Sequence, residues 1–464
     1  MTACQTDSRT WRLLTSTGAI AFWLVAWQLA SMAVGSGLIL AGPVDTSAAL
    51  LRLLPSPAFW GHVGFSAARI IGGTLAGYVC AFALAALAWR TPVARTLLHP
   101  ALSAIKGTPV ACVVVLLLIW IGSRNVSAIA VFLLVLPGVY FPVLTGLDEL
   151  DAKQCELFDV FGAGHLTRLL ALVWPGILPY MTAASSTVLG MSWKAGVAAE
   201  LIGVPTGSIG ERIYQAKLLL ETADLFAWTI VVVLLSWAFE RAALAVLRTS
   251  WPAAGRFAAR LASHADGMRH REAVLRTQDL SVGYNGKAVC APLSFELPAG
   301  GILCLDAPSG TGKTTLLRTI AGLQTPVSSE LAAPNRPTPT VFQETRLVED
   351  LSAVENLLLL ARGLTVSDAE SLLGELLPVD ILAVPVRELS GGQRRRVELT
   401  RAFAAPANLI LLDEPFTGLD AETHREALAF IQRHQAGKAL MIATHNPTDA
   451  DALGATVLTL QTTR

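Results

Sequence analysis

The first half of the chain contains long runs with almost no charge, and this feature limits what it can fold into. No charged residue occurs between Leu13 and Val44. The whole sequence is 53% hydrophobic and 15% charged, whereas soluble domains carry about 25% charge. A bilayer-spanning helix needs about 20 mostly apolar residues. We therefore predict an all-α membrane domain over residues 1–248. Its six predicted spans are at about 17–40, 66–89, 108–122, 126–147, 177–200 and 224–246.

The distribution of basic residues predicts the orientation of these spans. The first apolar run is longer than the core of a signal peptide, about 7–15 residues, so we predict an uncleaved first span. With the N-terminus in the cytoplasm, the cytoplasmic segments hold more Lys and Arg than the opposite side, as the positive-inside rule requires. The cytoplasmic set is Arg9, Arg12, Arg90, Arg95, Lys153, Arg168, Arg241 and Arg248; the opposite set is Arg52, Arg124, Arg212 and Lys217. An even number of spans returns the chain to the cytoplasm.

Three charged residues fall within or beside the predicted spans: Lys106, Lys194 and Glu200. Charges are costly in hydrocarbon and commonly face an interior path. Lys194 and Glu200 are six residues apart, so they lie on different helix faces and do not form an i,i+4 pair. Two interpretations stay open. Each residue extends to the membrane interface, or the two lysines help to admit an anion.

Charge and cysteine content exclude several other functions. The formal net charge is zero, so nothing predicts nucleic-acid binding. The six cysteines are Cys4, Cys80, Cys112, Cys155, Cys290 and Cys304. They lack the spacing of a zinc site or a disulfide framework.

The pattern changes after the last span. Residues 249–272 form a linker with several arginines, which is either a tether near anionic lipid headgroups or a solvated connection. From residue 273 short apolar strands alternate with turns, predicting an α/β domain over 273–464 that includes antiparallel strands. APSGTGKTT, residues 307–315, follows a buried strand at Ile302–Leu305. Such a loop surrounds phosphates with backbone N–H groups, while Lys313 reaches the β- and γ-phosphates and Thr314 binds Mg²⁺.

Position 307 departs from the phosphate-loop pattern, since Ala307 stands where the motif has its first glycine. An alanine is harmless there if its φ angle is negative and costly if φ is positive. We expect at most some loss of nucleotide affinity.

Two further motifs follow in order: LSGGQ at 389–393 and LLDEP at 411–415. This ordered set resembles the ABC ATPase family, which is a P-loop α/β domain with an antiparallel β subdomain and a helical subdomain. The short segment between Gln343 and Ser390 predicts a reduced helical subdomain.

The resemblance implies roles for residues at matching positions, with ATP and Mg²⁺ as cofactors. Glu414 is the general base, His445 contacts the γ-phosphate, and Gln343 senses Mg²⁺ and the γ-phosphate; these three are the catalytic set. Thr314, Gln343 and Asp413 hold the metal. Tyr284 stacks on adenine. The other nucleotide-binding residues are Ala307, Pro308, Ser309, Gly310, Thr311, Gly312, Lys313, Thr314 and Thr315, and, for the γ-phosphate of an opposite subunit, Ser390, Gly391, Gly392 and Gln393.

The loop at residues 151–175, between the fourth and fifth spans, predicts a helix at about 152–160. A turn at 162–164 and a second helical stretch that stops at Trp174-Pro175 follow. Glu156, Gly162 and the Pro175/Pro179 pair resemble the EAA loop of bacterial ABC importer permeases, which implies a coupling loop docked on the ATPase domain. The family's two alanines are replaced by Leu157 and Phe158. Residues 344–350 are expected to contact this loop.

Residues 66–78, 103–125 and 192–210 are similar to permeases of the nitrate, sulfonate and taurine type. This resemblance implies a multi-pass protein of the bacterial inner membrane with a cytoplasmic ATPase domain. It also implies import of a small anionic or zwitterionic solute delivered by an extracytoplasmic binding protein. One phosphate loop and one LSGGQ per chain imply a homodimer. An exporter and a mechanical signalling ATPase are the alternatives. The cytoplasmic loops are short for an exporter, and the extracytoplasmic segments are small for a mechanical signalling ATPase.

Overall fold

The computed structural model describes residues 3–263, 275–308, 310–328 and 337–461, with the backbone alone for residues 3–17. The chain divides into two units. The first contains Met1–Asp148 and Ile177–Arg248, and the second contains Glu149–Gly176 and Thr249–Arg464. The loop between the fourth and fifth predicted spans therefore belongs to the same unit as the C-terminal domain.

The N-terminal part of the chain is helical. Its helices are α1 (Ala3–Val34), α2 (Pro43–Leu53), α3 (Pro57–Arg90), α4 (Pro92–Gly107), α5 (Val110–Ile121), α6 (Val126–Asp148), α7 (Ala152–Val160), α8 (His165–Arg168), α9 (Trp174–Gly203), α10 (Ile209–Leu218) and α11 (Thr222–Ser263). Helices α7 and α8 lie in the second unit, and the ends of α9 and α11 extend into it.

Four of the described helices are long and apolar enough to cross a bilayer: Pro57–Arg90, Val126–Asp148, His165–Gly203 and Thr222–Ser263. Helices α4 and α5 meet at a bend of 102° and would make a fifth span if counted together. Helix α1 contains a shorter apolar stretch, Gly18–Val34. The described helices thus give four or five spans by length and composition, and the number six stays a prediction.

The predicted linker is partly helical. Residues 249–263 are the last part of α11, whereas residues 264–272 lie outside the described part of the chain. The limits of the three predicted segments stay predictions.

Helices α3 and α6 pack closely through small residues. A Cβ atom on Gly73 would lie 2.3 Å from the carbonyl oxygen of Ala128, and one on Gly77 would lie 2.8 Å from Val135. Glycine is required at both positions because a side chain would separate the two helices. Small residues at this four-residue spacing are typical of close helix packing in membranes.

The loop prediction was right for its first helix and wrong for its second. Helix α7 spans Ala152–Val160, as expected. The second stretch does not stop at Trp174-Pro175, because a π-helical turn at Leu169–Val173 joins α8 to α9. A proline lacks an N–H group and clashes with the preceding turn of an α-helix. The wider π turn before Pro175 accommodates this proline at the start of α9.

The C-terminal part is a mixed α/β domain. Its strands are β1 (Leu275–Leu280), β2 (Gly283–Tyr284), β3 (Lys287–Ala288), β4 (Leu293–Leu297), β5 (Ile302–Asp306), β6 (Thr340–Val341), β7 (Leu409–Asp413), β8 (Ala439–Ala443) and β9 (Thr456–Thr459). β1 pairs with β4 and β2 with β3, both antiparallel. The other five strands form a parallel sheet in the order β6-β7-β8-β5-β9.

The helices of this domain complete the predicted subdivisions. They are α12 (Lys313–Ile320), α13 (Ala353–Leu360), α14 (Val366–Gly374), α15 (Gly391–Ala404), α16 (Ala421–His434) and α17 (Pro447–Leu453). Helices α13 and α14 form a short helical subdomain before α15. Strands β7 and β8 are buried along their whole length, as expected for central strands of a parallel sheet covered on both faces.

Candidate functional site

The predicted site residues follow the carboxyl ends of neighbouring parallel strands. The phosphate loop follows β5, Asp413 ends β7, His445 comes after β8, and Gln343 follows β6. In open parallel sheets ligands bind at this edge, where the strand order reverses. The sheet topology therefore positions these residues from four separate segments at one edge.

Two glycines give the phosphate loop its shape. Gly310 has φ +84° and Gly312 has φ +102°, conformations that other residues rarely adopt. A Cβ on Gly312 would also lie 2.7 Å from Val289. The loop therefore turns tightly into α12, whose first residue is Lys313. Ser309, one of the predicted nucleotide-binding residues, lies outside the described residues.

Lys313 is almost fully buried, at 7% exposure. Its Nζ donates to the carbonyl oxygen of Ala307 at 2.7 Å and lies 3.3 Å from Nδ1 of His445. Ala307 is not one of the described residues that have a positive φ angle. Its methyl group is thus free of backbone strain, which is the harmless case of the two considered from the sequence.

The metal-ligand candidates supply oxygen atoms. Asp413 is 4% exposed, and burial raises the pKa of its carboxyl, an effect opposed by a hydrogen bond from Thr314 and reinforced by the charge of Glu414. A buried carboxylate beside a hydroxyl suits a hard divalent cation such as Mg²⁺. The side chain of Gln343 is exposed, and its backbone carbonyl accepts a hydrogen bond from Arg395. The residues present fit a magnesium ion.

Glu414 and His445 are in direct contact. Nε2 of His445 lies 2.7 Å from Oε1 of Glu414. Glu414 adopts φ +49°, an uncommon conformation for a residue with a side chain, costing about 1–3 kcal/mol. Its N–H donates to the carbonyl of Ala443 at 2.8 Å, which holds this conformation. The structure thus brings together Glu414, His445 and Lys313 from three predicted motifs.

The aromatic candidate lies beside the phosphate loop. The hydroxyl of Tyr284 is 3.2 Å from Oγ1 of Thr315, while 54% of the residue is exposed. The ring is therefore anchored at its polar end and accessible enough to stack on a planar base.

The LSGGQ residues form the start of α15. Ser390 is its N-cap and makes a reciprocal capping box with Gln393. No hydrogen bond within the described residues joins Ser390–Gln393 to the phosphate loop of the same chain. The Ser-x-x-Gln spacing is a known capping signal and could have predicted this cap from the sequence.

The loop at 151–175 is attached to the domain that carries the phosphate loop. Glu156 accepts a hydrogen bond from Arg318 at 3.0 Å and one from Arg346 at 2.7 Å. Burial raises the pKa of Glu156, but the hydrogen bonds and charges of Arg318 and Arg346 outweigh it and leave that pKa below its ordinary value. Arg318 belongs to α12, directly after the phosphate loop. Glu156 is therefore clamped to the helix that holds the nucleotide site.

Further contacts extend this attachment to residues 344–347, as expected. Lys153 pairs with Glu344, and Nε2 of Gln154 donates to the carbonyl of Leu347 at 3.1 Å. Apolar side chains of the loop share a buried cluster with the C-terminal domain; they are Leu157, Phe158, Val160 and Phe161. Leu157 and Phe158 replace the alanines of the resembling family, so the larger side chains supply additional buried apolar contact.

A buried charge cluster on α15 was missed by the sequence reading. Arg395, Glu398 and Arg401 are each at most 4% exposed. Glu398 accepts hydrogen bonds from Arg395 at 3.1 Å and from the backbone N–H of Arg346. Arg401 donates to the carbonyl of Arg346 at 2.8 Å, and burial lowers its pKa to about 10. These three charges bind the segment after β6, which carries Gln343, to the helix that begins at Ser390.

The charges in the membrane helices have different surroundings. Glu200 is fully buried and accepts hydrogen bonds from Ser66 at 2.6 Å, Ser127 at 3.1 Å and the N–H of Gly210 at 3.3 Å. The interpretation that the side chain extends to the membrane interface is therefore wrong for Glu200. Lys194 is exposed.

The fold and the site define a P-loop nucleotide-binding domain joined to a helical membrane domain. Residues 290–417 match the family described as ABC transporter, and residues 73–247 match the binding-protein-dependent transport system inner membrane component family. The chain belongs to the ABC transporter family. Its C-terminal domain is an ABC-type ATPase that binds ATP, and its N-terminal domain is a multi-pass permease domain.

Relatives match the C-terminal part of the chain. An aliphatic sulfonates import ATP-binding protein of Pseudomonas savastanoi is 33% identical over 201 residues, covering 40% of this chain and 73% of that protein. One from Nocardia farcinica is 36% identical over 193 residues, covering 41% and 77%.

Solved structures also match this part. An ATP-binding subunit of an ABC transporter is 26% identical with a TM-score of 0.38, covering 41% of this chain and 86% of that one. The dimeric form of a bacterial ABC transporter cassette is 23% identical with a TM-score of 0.36, covering 41% and 94%.

Proposed function

We propose that two copies of this chain form an ATP-driven importer of a small anionic or zwitterionic solute. The observation that carries the proposal is the clamp on Glu156. A loop that lies between two membrane helices in the sequence is folded into the same unit as the ATPase, where it contacts the helix after the phosphate loop. Such a loop can respond to the state of the nucleotide site.

Import is favoured over export by the comparisons. The permease domain matches a binding-protein-dependent family, and the relatives are described as sulfonate import proteins. We therefore propose an extracytoplasmic solute-binding protein as partner and a sulfonate, taurine, nitrate or bicarbonate-like solute. The proposed location is the bacterial inner membrane, with the ATPase domain in the cytoplasm.

The proposed reaction uses the residues that the structure brings together. Lys313 and the N–H groups of the phosphate loop bind the β- and γ-phosphates of ATP. Glu414 accepts a proton from the water that attacks the γ-phosphorus, while the bond to ADP breaks. His445 orients the Glu414 carboxylate through its hydrogen bond. Asp413 and Thr314, with Gln343, would hold Mg²⁺, which would neutralise phosphate charge.

Dimerisation follows from what one chain contains. Each copy has one phosphate loop and one LSGGQ segment, and we propose that Ser390 and the N-terminus of α15 bind the γ-phosphate held by the partner. ATP binding then draws the two ATPase domains together. The coupling loop transmits this closure to the membrane helices on either side of it in the chain, giving alternating access.

The proposal is tested with Glu414→Gln in proteoliposomes that contain the solute-binding protein. ATP binding should be retained, whereas hydrolysis should fall by about 10²–10⁴-fold, the usual contribution of a general base. Uptake of the solute should be lost with it. Glu370→Gln, an exposed residue on α14, is the matched control and should behave as wild type. Normal hydrolysis by Glu414→Gln would show that the assigned base is wrong.

A further inference from the structure

A cavity of about 550 Å³ lies among the membrane helices of the first unit. It forms where the chain bends by 102° between α4 and α5, and its remaining walls come from α6 and α9. Its volume is within the range of about 300–1,000 Å³ that is usual for small-molecule sites. The bend therefore creates space for a small solute between helices.

The walls combine one cation with an apolar surface. Of the sixteen lining residues, all within the described part of the chain, Lys106 alone carries a charge. Thr108 and Thr187 supply hydroxyl groups, of which that of Thr108 already donates to the carbonyl of Ala104 at 2.8 Å. The remaining lining residues are aliphatic side chains, Met191, glycines and prolines. The cavity thus offers three polar groups, one of them a cation, against a mostly apolar background.

Lys106 lacks a carboxylate to neutralise it. Across the described residues no acidic side chain lies within ion-pair distance of its Nζ, which is 5.5 Å from the ring centre of Phe141. Glu200, the acidic residue of α9, is already hydrogen-bonded to Ser66 and Ser127. Lys106 lies in the last turn of α4 and is exposed, so its ammonium group is accessible to a solute that enters the cavity.

We propose that this cavity binds the solute on its path, with Lys106 binding an anionic head group. Thr187 donates a hydrogen bond to the same group, and the aliphatic wall contacts an alkyl body. The inference rests on the proposed import function and narrows it, because the apolar wall favours an organic anion over nitrate or bicarbonate. Lys194 does not line the cavity and has no part in it.

The first test measures how readily anionic and cationic reagents enter the cavity, and it does not depend on transport. A cysteine is placed at another lining residue by Ala184→Cys, in a Cys112→Ser background of the full chain, reconstituted in nanodiscs. Its labelling rate is compared for two methanethiosulfonates of equal chain length, one ending in a sulfonate and one in trimethylammonium. Lys106→Gln should lower the ratio of anionic to cationic labelling by tenfold or more, because a unit charge within about 10 Å changes the attraction of a charged reagent by at least that factor at an effective dielectric constant of about 20.

Protection completes this test. Butanesulfonate should slow labelling of the cysteine when Lys106 is present, and butanol should not. Lys194→Gln is the matched control and should leave both results unchanged. An unchanged labelling ratio in Lys106→Gln, or equal protection by butanol, overturns the proposal.

The second test measures uptake of butanesulfonate by proteoliposomes that contain the binding protein. Lys106→Gln should reduce uptake by about 10- to 100-fold, as loss of a charge-assisted hydrogen bond does, and Lys106→Arg should restore part of it. If the wild type takes up butanesulfonate and Lys106→Gln takes it up equally well, the cavity proposal is overturned and the import proposal is not. If the wild type takes up neither butanesulfonate nor taurine, nitrate or bicarbonate while the labelling results hold, the import proposal fails and the anion site stands.

Discussion

The clamp on Glu156 gives the most direct prediction about coupling between the loop and the ATPase. The change is Glu156→Gln, which keeps the shape of the side chain and removes its charge. In the structure Arg318 donates two hydrogen bonds to this carboxylate and Arg346 donates one. The variant should weaken the attachment of α7 without removing the apolar contacts beneath it.

The magnitude follows from these three bonds. A hydrogen bond to a charged group contributes about 1.5–3 kcal/mol, against about 0.5–1.5 kcal/mol for a neutral one. The difference, about 1 kcal/mol for each bond, gives about 3 kcal/mol. Glu156 and Arg318 remain 25% and 26% exposed and Arg346 is 9% exposed, so water offsets part of the loss. We expect about 2 kcal/mol, which is about 30-fold in an equilibrium constant.

Amide hydrogen exchange of the full-length protein measures this free energy directly. Peptides covering Ala152–Val160 should exchange about 30-fold faster in Glu156→Gln, and less solute should be imported per ATP hydrolysed. Lys153→Gln is the matched control on the same helix. Its ion pair with Glu344 is more than half exposed on both sides, so it should change exchange by about twofold or less.

The same carboxylate predicts a pH dependence. Its pKa is depressed in the folded protein, so its contribution is complete above the ordinary glutamate value of about 4.3 and is lost as pH falls through the lowered pKa. Exchange of α7 should therefore accelerate in acid for the wild type and not for Glu156→Gln. Equal exchange in wild type and variant at neutral pH would refute the reasoning.

Two other variants test the nucleotide domain. Ala307→Gly should change ATP affinity by about twofold or less, because the alanine has no positive φ to relieve; a larger gain in an ATP-binding titration would contradict this. Glu398→Gln should lower the free energy of unfolding by about 3–5 kcal/mol, since it leaves Arg395 and Arg401 buried without a counter-charge. Its melting temperature, measured by tryptophan fluorescence, should fall clearly below that of the control Glu370→Gln.

Features set by local sequence were predictable. The phosphate loop was found because a buried strand, glycines and Lys313 must follow one another closely. The helix at 152–160 was found because its polar flanks and the glycine turn after it are adjacent in the chain. The close packing of α3 against α6 agrees with the four-residue spacing of Gly73 and Gly77, which is itself a local feature of the sequence.

Features that depend on distant partners were not predictable. Arg395, Glu398 and Arg401 recur at helical spacing, which resembles a solvated face; their burial depends on residues 342–346, about fifty positions earlier. The partners of Glu200 are Ser66 and Ser127, on two other helices. The π turn before Pro175 also escaped prediction, because a helix more commonly ends at or before the residue that precedes a proline than continues through it.

The placement of the loop within the ATPase unit has a consequence for how tightly its contacts need to hold. The loop and the ATPase domain are parts of one polypeptide. The covalent connection therefore gives them an effective concentration of about a millimolar for one another. Glu156 and its arginines therefore do not have to recruit a subunit from solution. A contact of modest, reversible strength is therefore sufficient, and its strength can be matched to the timing of each catalytic cycle.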